Sequence, residues 1–213
     1  MASQPPSTRP AAPRLPALAR RRQLLDVAVD VFAARGFHGA SMEELAEAAG
    51  VTKPVLYQHF SSKRELYLEL LDDLGTRLVA AVTGAVRTAS GPRSQVEAGF
   101  GAYFRFVAEQ TGAFNVLFGS GARRDEEFAG AVRGLEDQMA RSVAELIEAD
   151  IDGEHRQLLG WGILGLAETT SRYWVRMAGT DPGTTELTPA EADRMARRIA
   201  DLAWAGLRGV RRD

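Results

Sequence analysis

Residues 41–63 concentrate side chains suited to gripping a polyanion. Lys53 and Lys63 are the chain's two lysines, against 24 arginines. Both stand at the expected starts of helices, where a cation opposes the local dipole. An external phosphate would offset that conflict. Ser41, Thr52 and Ser62 each precede a helix whose free amides form a phosphate site. Thr52, Tyr57 and His59 can donate to phosphate oxygens. Gln58 can pair with adenine, Lys53 with guanine N7 and O6, and Pro54 or Val55 can meet a thymine methyl.

The elements that must hold these groups are readable from punctuation. Ser41-Met-Glu-Glu44 has the form of a capping box, and the helix it opens, about 42–49, ends at Gly50. Thr52 can cap the next helix, with Pro54 in its first turn. That helix runs to about Phe60, and its Leu56 and Phe60 share one face. Ser62-Lys-Arg-Glu65 is a second box, opening a long helix to about Arg87. Upstream, Leu24/Leu25, Ala28 and Val31/Phe32 recur at helical spacing, with Gly36 as the expected C-cap. Helix, glycine turn, helix is the physical content of a helix-turn-helix. A polar-faced helical hairpin with Tyr57 and His59 simply packed reads equally from the pattern alone.

The run Gly-Val-Thr-Lys-Pro-Val-Leu-Tyr-Gln-His-Phe-Ser-Ser-Lys-Arg-Glu-Leu-Tyr (50–67) closely resembles the signature of the TetR family of bacterial transcription regulators. The resemblance spans about residues 20–70, including Ala-Arg-Gly-Phe at 34–37. It implies that the helix at 52–60 is the recognition helix. It also implies that Tyr57, His59 and Lys63 meet phosphate, and that Pro54, Val55 and Gln58 lie near base edges behind Thr52 and Lys53. Leu56 and Phe60 match core positions. Lys53 and Gln58 fall at variable positions, so no operator sequence transfers.

Helices are also expected at about 92–110, 113–119, 125–149, 154–178 and 189–208, the last opened by Thr188-Pro-Ala-Glu191. No sustained period-two run interrupts them, so the chain reads as all-α. The resemblance implies a three-helix DNA-binding unit (17–66) followed by a helical bundle for effector binding and dimerisation (67–213). Residues 1–16 hold five of the nine prolines and read as a disordered tail, either a solubiliser or a basic arm.

Aromatics crowd the bundle: Phe100, Tyr103, Phe104, Phe114 and Phe118, then Trp161 and Tyr173. They form either a packed core or, with Leu164 and Glu168, the wall of an apolar ligand cavity. The family resemblance implies a small-molecule effector there, apolar or amphipathic and fatty-acyl-like in some relatives. It also implies a homodimer through about 154–178 and 189–208, where Trp161, Leu164, Trp174, Ala203, Trp204 and Leu207 are expected on the surface. A two-fold dimer calls for a near-palindromic double-stranded DNA operator. The function expected is ligand-responsive repression, released by effector. The alternative is a TetR-like DNA-binding protein governed by a protein partner.

Several classes recede. Residues 1–64 carry nine Lys/Arg against five Asp/Glu, while the remainder carries 17 against 23, so the basic character is confined to the front. The absence of cysteine excludes thiolate metal sites and thiol nucleophiles. The three histidines show no metal-ligand spacing, and no metal, cofactor or enzymatic activity is expected. Gly160-Trp-Gly-Ile-Leu-Gly165 spells a dinucleotide motif but follows helical residues rather than a strand. No membrane span is expected, and the location expected is the cytoplasm, at the nucleoid.

Overall fold

The computed structural model describes residues 16–119, 121–178 and 187–210. Residues 1–15 of the expected 1–16 tail lie outside them, as does most of 179–187, the stretch between the last two expected helices. Among the described residues there are nine helices and no strand: α1 (Ala17–Gly39), α2 (Met42–Ala48), α3 (Lys53–His59), α4 (Lys63–Thr88), α5 (Pro92–Glu109), α6 (Thr111–Phe118), α7 (Glu126–Glu145), α8 (Gly153–Ala178) and α9 (Pro189–Leu207).

The punctuation mostly acts as the sequence dictates. The Glu44 N–H donates to Ser41 Oγ (3.2 Å) and the Ser41 N–H to Glu44 Oε2 (2.9 Å), closing the box at α2. Thr188 and Glu191 close another at α9. The box at α4 is shifted. Ser62 Oγ accepts from the Glu65 N–H (3.1 Å), but Glu65 reaches back to the Ser61 N–H (2.7 Å), one residue earlier than expected. Thr52 takes the N-cap position of α3 without a side-chain cap bond. Gly36, at φ 66°, breaks the helical path of α1 and turns the chain toward α2.

Leu66, Leu70, Leu74 and Leu78 line one face of α4, and all are buried. This stripe makes α4 the spine of the molecule: α1 and α6 pack on its first half, α5 and α7 along the bundle. α8 lies against α7 where Gly160 passes the backbone; a Cβ there would sit 2.3 Å from the Ala140 carbonyl. The Gly160–Gly165 run is therefore mid-helix, and its first glycine serves helix packing, as no strand precedes it. α7 ends at Glu145, a turn short of the expected 149. Arg156 explains the early stop, since its guanidinium donates to the carbonyls of Ile147 (3.2 Å), Ala149 (3.0 Å) and Ile151 (3.3 Å), holding 147–151 as a non-helical segment.

Candidate functional site

The N-terminal unit presents α3 with one face inward and one outward. Leu56 and Phe60 are buried in the core that also holds Leu24, Ala28, Phe32 and Leu45. Thr52, Lys53, Pro54, Tyr57 and Gln58 are exposed, and Val55 and His59 half-buried. Gly50, at φ 65°, makes the tight turn between α2 and α3, and Val51 packs onto the core beneath it. Tyr57 keeps 46% of its surface in solvent, so it is not a packing residue. The Thr52 hydroxyl, spared from capping, stands beside Lys53 on the same edge. Ser41 is exposed, but its hydroxyl is engaged with Glu44.

Two cations fix this face from within the unit. Lys63 Nζ donates to the carbonyls of Phe37 and Ala40, both at 2.7 Å, and lies 4.5 Å from the Phe37 ring centroid. The expectation that an external phosphate must compensate Lys63 is corrected: carbonyls at the end of α1 do so. Arg21 donates to the His59 carbonyl, pairs with Glu69 and covers the Phe60 ring at 4.3 Å. Together they tie α1, α3 and α4 into one rigid block.

A cavity of about 450 Å³ opens in the bundle. Its walls are Val79, Val82 and Val86 from α4, Val96, Phe100 and Tyr103 from α5, Met139 and Val143 from α7, and Ile163, Leu164 and Ala167 from α8. Arg87, Glu145, Glu148 and Arg208 rim it, and Trp204 and Leu207 of α9 complete the wall. Charge at the rim over apolar walls suits an amphipathic ligand.

Residues 24–70 match the family of bacterial regulatory proteins named for TetR. The HTH-type transcriptional activator FasR of Mycolicibacterium smegmatis is 33% identical over 199 residues, covering 92% of this chain and 87% of that protein. The chain belongs to the TetR family. A TetR-like regulator from Rhodococcus sp. RHA1 superposes with a TM-score of 0.73 at 32% identity, covering 92% of this chain and all of the other. The regulator FadR of Bacillus subtilis, solved in complex with stearoyl-CoA, shares the fold at TM-score 0.73 and 15% identity, over 87% of this chain and 98% of its own. The protein is thus a TetR-type, helix-turn-helix DNA-binding transcriptional regulator.

Against this TetR frame, the expected ligand residues divide. Phe100, Tyr103 and Leu164 line the cavity. Phe104, Phe114 and Phe118 are buried core side chains away from it: Phe104 packs 5.8 Å from Trp174, and Phe114 meets Phe118. Trp161 and Tyr173 lie on the outer face of α8. Glu168 is buried and engaged by Arg123 and, one turn along α8, by Arg172, and it does not line the cavity. Burial, and then Glu168, holds the nearby Glu136 carboxyl above its usual range. These six do not line this cavity, because aromatic spacing alone does not distinguish the helix face turned to a cavity from the face turned to a neighbouring helix.

The outer surface also differs from expectation. Leu164, Trp174 and Ala203 are buried, and Trp204 and Leu207 face the cavity. The exposed apolar stripe instead runs Leu158, Trp161, Tyr173 and Met177 along α8, with Leu202 on α9.

The contacts that sequence reasoning missed join the two units. Arg64, in the first turn of α4, pairs with Asp125 and Glu127 at the start of α7. Its guanidinium covers the Phe128 ring at 4.7 Å. Phe128 in turn packs on Phe37 (4.7 Å) and Tyr67 (4.6 Å), and burial pushes the Tyr67 phenol up to about 12. The signal was present in the acidic Asp125-Glu126-Glu127 at the start of the helix expected over 125–149.

Proposed function

We propose that this regulator is a homodimeric, ligand-responsive DNA-binding protein whose cavity takes an elongated amphipathic small molecule. The observation that carries the proposal is shared structure: α4 and α7 wall the cavity at one end and clamp the DNA-reading block at the other. A ligand that wedges α4 from α7 works against the Arg64–Asp125 clamp and the Phe128 contact. It therefore favours a state in which the paired recognition helices no longer match the operator. The shift is as large as the ligand's preference for that state. Repression released by effector follows where the operator overlaps a promoter. FadR's stearoyl-CoA supports the chemical class of ligand.

On the DNA face, Thr52, Lys53, Tyr57 and His59 take phosphate, and Pro54, Val55 and Gln58 face base edges. The α8 stripe from Leu158 to Met177, with Leu202, is the surface offered to a second copy. That copy would place two α3 helices about one DNA turn, roughly 34–36 Å, apart.

The test is to select bound fragments from genomic DNA with the purified protein, then titrate the recovered duplex with acyl thioesters of graded chain length. At least one chain length should lower operator affinity by about fivefold or more. If cavity occupancy is shown by calorimetry and operator affinity does not change, the coupling is refuted.

A further inference from the structure

The charged residues that line the cavity gather at one end of it: Arg87, Glu145, Glu148 and Arg208. Arg87 lies in the last turn of α4, Glu145 ends α7, Glu148 follows it, and Arg208 is the C-cap of α9. About two turns back along α4 and α7 the walls are Val79 and Met139, both apolar. Ion pairs fix where these helix ends lie. Arg93 meets Asp201 (3.1 Å) and Arg105 meets Asp193 (3.0 Å), so α9 runs antiparallel to α5 and brings Arg208 to the junction of α4 and α5, where Arg87 stands. Arg64 meets Asp125, and farther on a Cβ at Gly75 would lie 3.0 Å from the Leu135 side chain. α7 therefore runs parallel to α4, with Glu145 level with the end of α4. Arg156, through its three carbonyl bonds, holds 147–151 in place and so keeps Glu148 at the mouth. All four charged side chains are exposed, and no ion pair joins any of them to another described residue.

We infer that the cavity's ligand carries a zwitterionic head, its anionic centre taken by Arg87 and Arg208 and its cationic centre by Glu145 and Glu148. A purely anionic head would meet the two carboxylates as well as the two guanidinium groups, and a purely cationic head the reverse. A head with both centres gains on both sides. Arginine's planar fork suits an anionic phosphate or carboxylate. The head stays at the solvent edge while the chain takes the apolar walls. Because the four charges are exposed, each contact is worth only a few-fold in affinity and weakens as salt rises.

This inference rests on the proposed amphipathic ligand, and the test separates the two. Dodecylphosphocholine, the monoanion dodecyl methyl phosphate and the cation dodecyltrimethylammonium share one chain and differ in head charge. Each is titrated calorimetrically, below its micelle-forming concentration, into wild type, Arg87→Gln/Arg208→Gln and Glu145→Gln/Glu148→Gln. Wild type should bind the zwitterion about three- to tenfold more tightly than either singly charged probe. The arginine variant should lose severalfold in affinity for the two phosphate-bearing probes and none for the cation. The glutamate variant should lose severalfold for the zwitterion and the cation, and gain for the anion. Equal binding of all three probes by wild type, tightest binding of a singly charged probe, or unchanged zwitterion affinity in either variant would overturn the zwitterionic head while the amphipathic ligand stands. If wild type binds none of the three, both readings fall.

Discussion

Arg64 Nη2 lies 2.6 Å from Asp125 Oδ2, joining the first turn of the helix behind the DNA-reading face to the N-cap of a cavity-lining helix. Asp125 serves twice, since its carboxylate also accepts from the Glu127 N–H at 3.1 Å. One side chain thus terminates α7 and anchors it to the DNA-binding block.

Replacing Asp125 with asparagine separates those duties, because asparagine caps nearly as well but cannot pair with Arg64. Ligand should still bind Asp125→Asn, but its effect on operator affinity should shrink severalfold. Paired titrations of ligand binding and operator binding check this. Retention of the full ligand effect would show that coupling runs elsewhere.

The same pair sets a pH dependence. The Arg64 guanidinium holds the Asp125 carboxyl below its usual range. A carboxyl depressed in the folded state contributes stability above its unfolded pKa, about 3.9, and loses it as pH falls through the lowered value. The melting temperatures of wild type and Asp125→Asn should differ at neutral pH and converge only below about pH 4. Convergence already at pH 6 would reject the assignment.

Lys53 and Lys63, chemically identical, should behave differently on DNA. Lys53→Ala should reduce the slope of log affinity against log salt by about 0.9 for each phosphate left without its cation, per subunit. Lys63→Met should leave that slope unchanged. It should destabilise the fold by about 1–3 kcal/mol, because the Phe37 and Ala40 carbonyls lose their donor. Salt titrations and thermal melts distinguish the two.

Gln58→Ala should relax sequence preference at one base pair per half-site, at about 1–3 kcal/mol, with little change in non-specific affinity. Competition between the selected operator and single-base variants reads this directly. An unchanged base preference would move Gln58 away from the base edges.

The helical order was legible because caps and prolines act locally: Ser41, Thr188 and Pro54 hold the places their chemistry dictates. The exposed face of α3 was legible too, since Leu56 and Phe60 at i, i+4 force Tyr57 and Gln58 outward. What escaped depends on long-range partners. Lys63 is satisfied by carbonyls from 23 and 26 residues upstream. Arg64 finds acids more than 60 residues away. Phe104 and Phe100 share a helix face, yet one meets Trp174 and the other the cavity. Helical periodicity says which residues turn inward, but not whether a void or a neighbouring helix awaits them.

The central claim is that cavity occupancy and operator affinity are one equilibrium. Its most direct test measures anisotropy of the selected operator duplex bound by wild-type protein while a calorimetrically verified cavity ligand is raised to saturation. Coupling predicts that operator affinity falls by about five- to 150-fold, with reciprocal weakening of ligand binding by saturating operator. Identical operator affinity with the cavity empty and full would contradict it.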